Sequence, residues 1–141
     1  MSTQGYRSVD DAIEAFLGSS NFAVVGASTD RSKYGNKVLR CYQQHRRKVY
    51  PVNPKAPEVE GLKAYPSLAA IPENVQAISV ITPPAATEQV VRDAHAAGVK
   101  HVWMQPGAES DEAVRTARAL GMNVIAGGPC LLVVLGYSEP H

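Results

Sequence analysis

A chain of 141 residues in which 45% are hydrophobic and 19% charged has the apolar mass for one well-buried core. Its 14 Lys and Arg against 13 Asp and Glu leave a formal charge of +1, which argues against a broad basic surface for nucleic acid and confines any polyanion site to a local cluster. The apolar runs are too short to span a bilayer, residues 1–6 show no secretory or transit pattern, and Cys41 and Cys130 form no metal motif or disulfide framework, so the expectation is a cytoplasmic protein with reduced thiols.

Ser8, with Asp10 and Asp11 ahead of Ile13, Phe16 and Leu17, predicts a capped amphipathic helix that Gly18 ends. The continuous apolar run over residues 22–26 reads as a strand buried on both faces. A polar loop over 28–33 follows, then a helix over 35–45 with Val38, Leu39 and Tyr42 at helical spacing. The cations of residues 45–48 sit where that helix ends and suit its dipole. Residues 48–52 form the next strand, and Pro51 within it is expected to turn its amide-less nitrogen toward an unpaired position. Asn53, Pro54 and Pro57 stop that strand; a short strand over 61–65 and a single turn capped by Ser67 come next. A strand over 77–81, a helix over 87–97 ended by Gly98, a strand over 100–104, a helix over 111–120 ended by Gly121 and a strand over 122–126 complete the series.

Strands separated by single helices require parallel crossovers, so the predicted fold is α/β: a Rossmann-like, doubly wound, mainly parallel sheet in a single domain. Residues 1–20 form an N-terminal helix packed on it, 21–135 the domain, and 136–141 a tail. Ligands of such sheets bind beyond the carboxyl ends of the strands.

Two of those ends carry phosphate-seeking residues. After the first strand come Gly26, Ala27, Ser28, Thr29, Arg31 and Lys33, small residues that admit a close backbone approach, with hydroxyls and cations to meet phosphate. Ser28 and Arg31 occupy places where the usual dinucleotide fingerprint needs glycine. After the second strand, Asn53-Pro54-Lys55 stands where a carboxylate would hold the free ribose of NAD; an amide and a cation suit a phosphorylated ribose, as in NADP or coenzyme A.

Four ordered segments, Val24-Val25-Gly26-Ala27-Ser28, Pro51-Val52-Asn53-Pro54-Lys55, Val102-Trp103-Met104-Gln105-Pro106-Gly107 and Gly128-Pro129-Cys130, resemble the small CoA-binding protein family, whose domain is similar to the CoA-binding domain of the succinyl-CoA synthetase α subunit. The resemblance covers roughly residues 20–135. It implies coenzyme A or an acyl-CoA as ligand, with Gly26, Ala27 and Ser28 on the pyrophosphate, Arg31 and Lys33 as phosphate partners, and Asn53, Pro54 and Lys55 beside the adenosine phosphate. It also places Ile81, Thr82 and Pro83 beside the nucleotide or the pantetheine arm. Thr82-Pro83-Pro84 follows the synthetase pattern where many small members carry Phe-Arg, and Gly127-Gly128-Pro129 replaces the charged residues often found before the cysteine. Trp103 and Gln105 alternate to one side of their strand and are candidates to line the pantetheine channel, with Trp103 also a natural core residue. Cys130 is a candidate to approach the CoA thiol.

Catalysis finds no support in the pattern of residues. His45, His95, His101 and His141 are scattered, with no triad or metal spacing among them, and the chain ends before any counterpart of the synthetase's second domain. The expected function is a CoA-binding module without a catalytic or metal site, serving as carrier, sensor or regulatory partner, with a homo-oligomer or an enzyme partner left open. The alternatives are an NADP-binding oxidoreductase subunit and an interaction protein with a degraded nucleotide site.

Overall fold

A computed structural model describes residues 8–139; the first seven residues, Pro140 and His141 lie outside it. The chain runs α1 (Val9–Leu17), β1 (Phe22–Val25), α2 (Tyr34–Gln44), β2 (Val49–Val52), β3 (Glu58–Val59), β4 (Leu62–Lys63), a 3₁₀ turn (Leu68–Ala70), β5 (Ala77–Val80), α3 (Pro84–Ala96), β6 (His101–Met104), α4 (Asp111–Ala119), β7 (Asn123–Ile125) and a wide helical turn (Leu132–Gly136). Five parallel strands form one sheet in the order β2-β1-β5-β6-β7. The α/β doubly wound fold is therefore the one the alternation required.

Period-two alternation sends successive strand residues to opposite faces. Ala23, Val25, Ile78, Val80, Val102 and Met104 pack with α3 and α4. Phe22, Val24 and Trp103 pack on the other face with α1, α2 and Leu131. There Phe16 meets the Trp103 ring edge-on at 5.2 Å, a geometry that adds about 0.5–1.5 kcal/mol to the burial of both rings. Ser79 also faces this side, and its hydroxyl is satisfied by Tyr42 Oη at 2.7 Å.

Helix boundaries follow their caps. Ser8 accepts from the Asp11 amide and Ser110 from the Ala113 amide. α3 begins at Pro84 and not at Thr87, because proline at the first helical position loses no needed hydrogen bond. Residues 61–65, expected as one strand, instead supply β4, which pairs antiparallel with β3, and a bridge from Tyr65 to Val52. That bridge explains Pro51. Phe22 N donates to Lys48 O and Gly26 N to Val52 O, so even-numbered residues of β2 face β1 and odd-numbered ones face outward. Pro51 thus turns its nitrogen to the outer edge, where only its carbonyl is needed, as acceptor for Tyr65 N at 3.0 Å.

Candidate ligand site

The strand order reverses between β1 and β5, and the crevice beyond a reversal is where open α/β sheets bind ligands. Here it is floored by Gly26 and Ile81. Gly26 has φ 101°, and a β-carbon on it would lie 2.1 Å from Ile81 O. Gly35, at the start of α2, is equally constrained: its β-carbon would lie 2.1 Å from Gly26 O. Glycine at both positions lets β1, β5 and α2 meet backbone to backbone, leaving main chain exposed where side chains would otherwise stand.

Two clefts open from this crevice, and Thr82 lines both. The first, about 400 Å³, lies between the tips of β1 and β2, the Pro66–Leu68 segment and the inner face of α3. Ala27, Asn53, Pro54 and Lys55 line it. Asn53 is a fastener: its Nδ2 donates to Ala27 O at 2.9 Å, and its Oδ1 accepts from the amides of Lys55 at 2.8 Å and Ala56 at 3.0 Å. Three of the four hydrogen-bonding positions of its carboxamide are thus spent on backbone, which leaves Lys55 as the cation offered to a ligand.

The second cleft, about 440 Å³, is lined by Tyr34, Ile81, Thr82, Pro83 and Cys130 with the Pro106–Ala108 loop. At its end Tyr34 Oη lies 2.6 Å from Cys130 Sγ and donates to Gln105 Oε1 at 3.0 Å, and Gln105 Oε1 also accepts from Leu131 N at 2.9 Å. A phenol has one proton. With that proton on Gln105, the Cys130 thiol must be the donor to Tyr34, so the chain runs from Cys130 S–H through Tyr34 O–H to Gln105. Burial pushes the Tyr34 phenol above its ordinary range and keeps it protonated. Trp103 and Gln105 are themselves fully buried. Both stand beneath the cleft: Gln105 holds Tyr34 and Leu131, while Trp103 Nε1 donates to Pro129 O at 3.0 Å and so anchors the loop that carries Cys130.

The loop after β1 has a different character. Ser28 Oγ accepts from Asp30 N and Asp30 Oδ1 from Ser32 N and Oγ, two local turns in series. The Ser32 hydroxyl, then its amide, hold the Asp30 carboxyl below its ordinary value. Thr29, Arg31 and Lys33 are exposed, and Arg31 pairs with Glu60 at 3.3 Å. Beneath them buried Asn36 donates to Ser28 O and to Glu60, and buried Arg40 donates to Asn36 Oδ1 and Arg31 O. The amides of Ala27, Ser28 and Thr29 have no acceptor among the described residues.

Residues 20–136 match the CoA binding domain family over most of the chain. The chain belongs to that family. It is 32% identical over 124 residues to the α subunit of acetate–CoA ligase [ADP-forming] II of Pyrococcus furiosus, an alignment that takes in 80% of this chain and 27% of that subunit. The apo structure of dinucleotide-forming acetyl-coenzyme A synthetase 1 of Ca. Korarchaeum cryptofilum superimposes with a TM-score of 0.66 and 38% identity over 74% of this chain and 25% of that one. A hypothetical protein of Pyrococcus horikoshii is the same size: TM-score 0.83 and 32% identity over 92% of this chain and 90% of that one. The chain therefore spans about a quarter of the length of the ligase subunit and the synthetase just described.

Tyr34, Asn36 and Glu60 escape a reading of the sequence as strands, helices and loops. The one local signal is Asn36 with Arg40, a polar pair one turn apart in α2. Tyr34, the first residue of α2, carries no such signal, because its partners are 71 and 96 positions away. Among the described residues no group of His, Cys, Asp and Glu is arranged to hold a metal ion. No helix among the described residues is long and apolar enough to cross a membrane.

Proposed function

We propose that this CoA-binding domain holds coenzyme A or an acyl-CoA extended across the strand-order reversal. The observation that carries the proposal is the pair of clefts meeting at Thr82 over a glycine floor. CoA has matching parts: a phosphorylated adenosine, a pyrophosphate and a long pantetheine arm. The adenosine occupies the first cleft, with its ribose phosphate toward Lys55. The pyrophosphate crosses Gly26 and meets the uncommitted amides of Ala27, Ser28 and Thr29, an arrangement suited to anions. Lys33 and Arg31 supply charge from the rim, Arg31 less effectively because Glu60 already engages it. The pantetheine arm enters the second cleft beside Ile81 and Pro83 and ends near Tyr34 and Cys130.

The domain acts in this reading as a binding module, a carrier, sensor or regulatory partner in acyl-CoA metabolism, and any acyl-forming chemistry belongs to a partner. The histidines among the described residues support this. His45 Nε2 lies 2.6 Å from Gly136 O, His101 Nδ1 lies 2.9 Å from Asn123 Nδ2, and His95 is exposed on α3; none lines either cleft. Calorimetry with CoA, dephospho-CoA, NADP and NAD tests the proposal. CoA should bind tightest, and Lys55→Ala should weaken CoA about tenfold while leaving dephospho-CoA nearly unchanged, the loss of one charge-assisted contact to phosphate. Binding of NADP in preference to CoA would instead select the oxidoreductase reading, and binding of none of the four would select an interaction protein.

A further inference from the structure

The first cleft carries a carboxylate that a polyanion has no use for. Asp93 lines its outer wall from α3, one turn beyond Val90, while the cation Lys55 stands on the wall that follows β2. Asp93 makes no ion pair among the described residues; the salt bridge nearest to it on the helix joins Arg92 and Glu88. Its Oδ1 accepts from Gln89 Nε2 at 2.9 Å, which fixes the carboxylate on the helix and leaves Oδ2 free to accept. An unneutralised carboxylate repels phosphate, so the part of a ligand that faces it must offer hydrogen-bond donors. Ser67 lines the same cleft and precedes the 3₁₀ turn packed on α3, and its hydroxyl makes no capping bond to that turn. The remaining wall is apolar and stiff, with Pro54, Pro66, Leu68 and Val90, a surface suited to a flat aromatic ring.

We propose that Asp93 and Ser67 make this cleft selective for adenine over 6-oxopurines. The inference rests on the CoA reading and deepens it. Adenine presents an amino donor beside a ring-nitrogen acceptor, and Asp93 accepts from the amine while the Ser67 hydroxyl donates to the ring nitrogen. Hypoxanthine and guanine put a carbonyl oxygen where the amine stands. That oxygen faces the carboxylate, and neither partner has a proton to share.

The test compares CoA with its deaminated counterpart, in which hypoxanthine replaces adenine, by calorimetry on the wild-type chain and on Asp93→Asn. The two compounds carry identical phosphates, so any general gain for polyanions on removing the negative charge cancels in their ratio. Wild type should prefer CoA by on the order of 10- to 100-fold. Asp93→Asn places a rotatable amide that can donate to the carbonyl, so the preference should fall to about unity or invert; Ser67→Ala should narrow it less. Asp93 is exposed, and an unchanged melting temperature confirms that the variant is folded. Equal affinities in the wild type, or an unchanged ratio in Asp93→Asn, would overturn the assignment while leaving CoA binding intact. Failure of the wild type to bind either compound would overturn the CoA reading and this assignment together.

Discussion

The two clefts on either side of Thr82 are held open by different means. The rim of the first is fastened by short-range chemistry: Asn53 folds over the next three residues and reaches one carbonyl of the neighbouring loop. The end of the second is fastened by a chain of side chains from three distant segments, Tyr34, Gln105 and Cys130, rooted in the core through Gln105 and Trp103. A turn that satisfies itself leaves its charged side chain free for a ligand. A buried network spends its polar groups on one another and offers a shaped wall.

This contrast can be broken first at what the clefts share. Gly26→Ala should destabilise the fold by about 2–6 kcal/mol, combining the strain of a β-carbon at positive φ with overpacking against the Ile81 carbonyl. Urea denaturation measures the loss, and binding in both clefts should suffer.

Removing each fastener separately sharpens it. Asn53→Ala should cost about 1–2 kcal/mol, because the carbonyl and two amides it frees lie close enough to the surface to find water. It should weaken CoA binding without disturbing the second cleft. Tyr34→Phe should cost about 1 kcal/mol, leaving Gln105 Oε1 with Leu131 N alone and the Cys130 thiol without its acceptor. Trp103, the one tryptophan of the chain, reports the difference: its emission should shift in Tyr34→Phe and stay unchanged in Asn53→Ala.

The smallest effect lies at the amino end of β6, away from both clefts. Asn123 Nδ2 donates to Ala12 O and to His101 Nδ1, so a protonated His101 would set N–H against N–H. Burial, then the charge of Lys100, holds the imidazole below its ordinary 6.5. The unfolded chain therefore takes up this proton more readily than the folded one. The stability contributed is complete above pH 6.5 and is lost as pH falls through the lower folded value. A modest acid-side decline in stability that His101→Gln flattens, with CoA affinity unaltered, would show that this edge is uncoupled from the site.

The expectations from sequence stand or change for physical reasons. Parallel strands, their core residues and the turns that follow β1 and β2 were legible because local periodicity and turn residues encode them. Pro51 pointed correctly to an unpaired direction, although its neighbour there, Tyr65, was hidden in a hairpin read as one strand. Trp103 and Gln105 were legible as one side of a strand, but alternation does not tell whether that side meets a ligand or a floor beneath it; here both are wholly buried.

The sequence by itself determined the layered α/β fold, the small residues that follow β1 and the absence of a carboxylate at the tip of β2. These depend on residues within a few positions of one another. Only the tertiary structure decided that Gly26 and Gly35 are each locked against a neighbouring carbonyl, that Arg31 turns to Glu60, and that Tyr34, Gln105 and Cys130 close the second cleft together. Contacts across 71 and 96 residues leave no periodic trace, because what aligns them is the packing of whole strands and helices against one another.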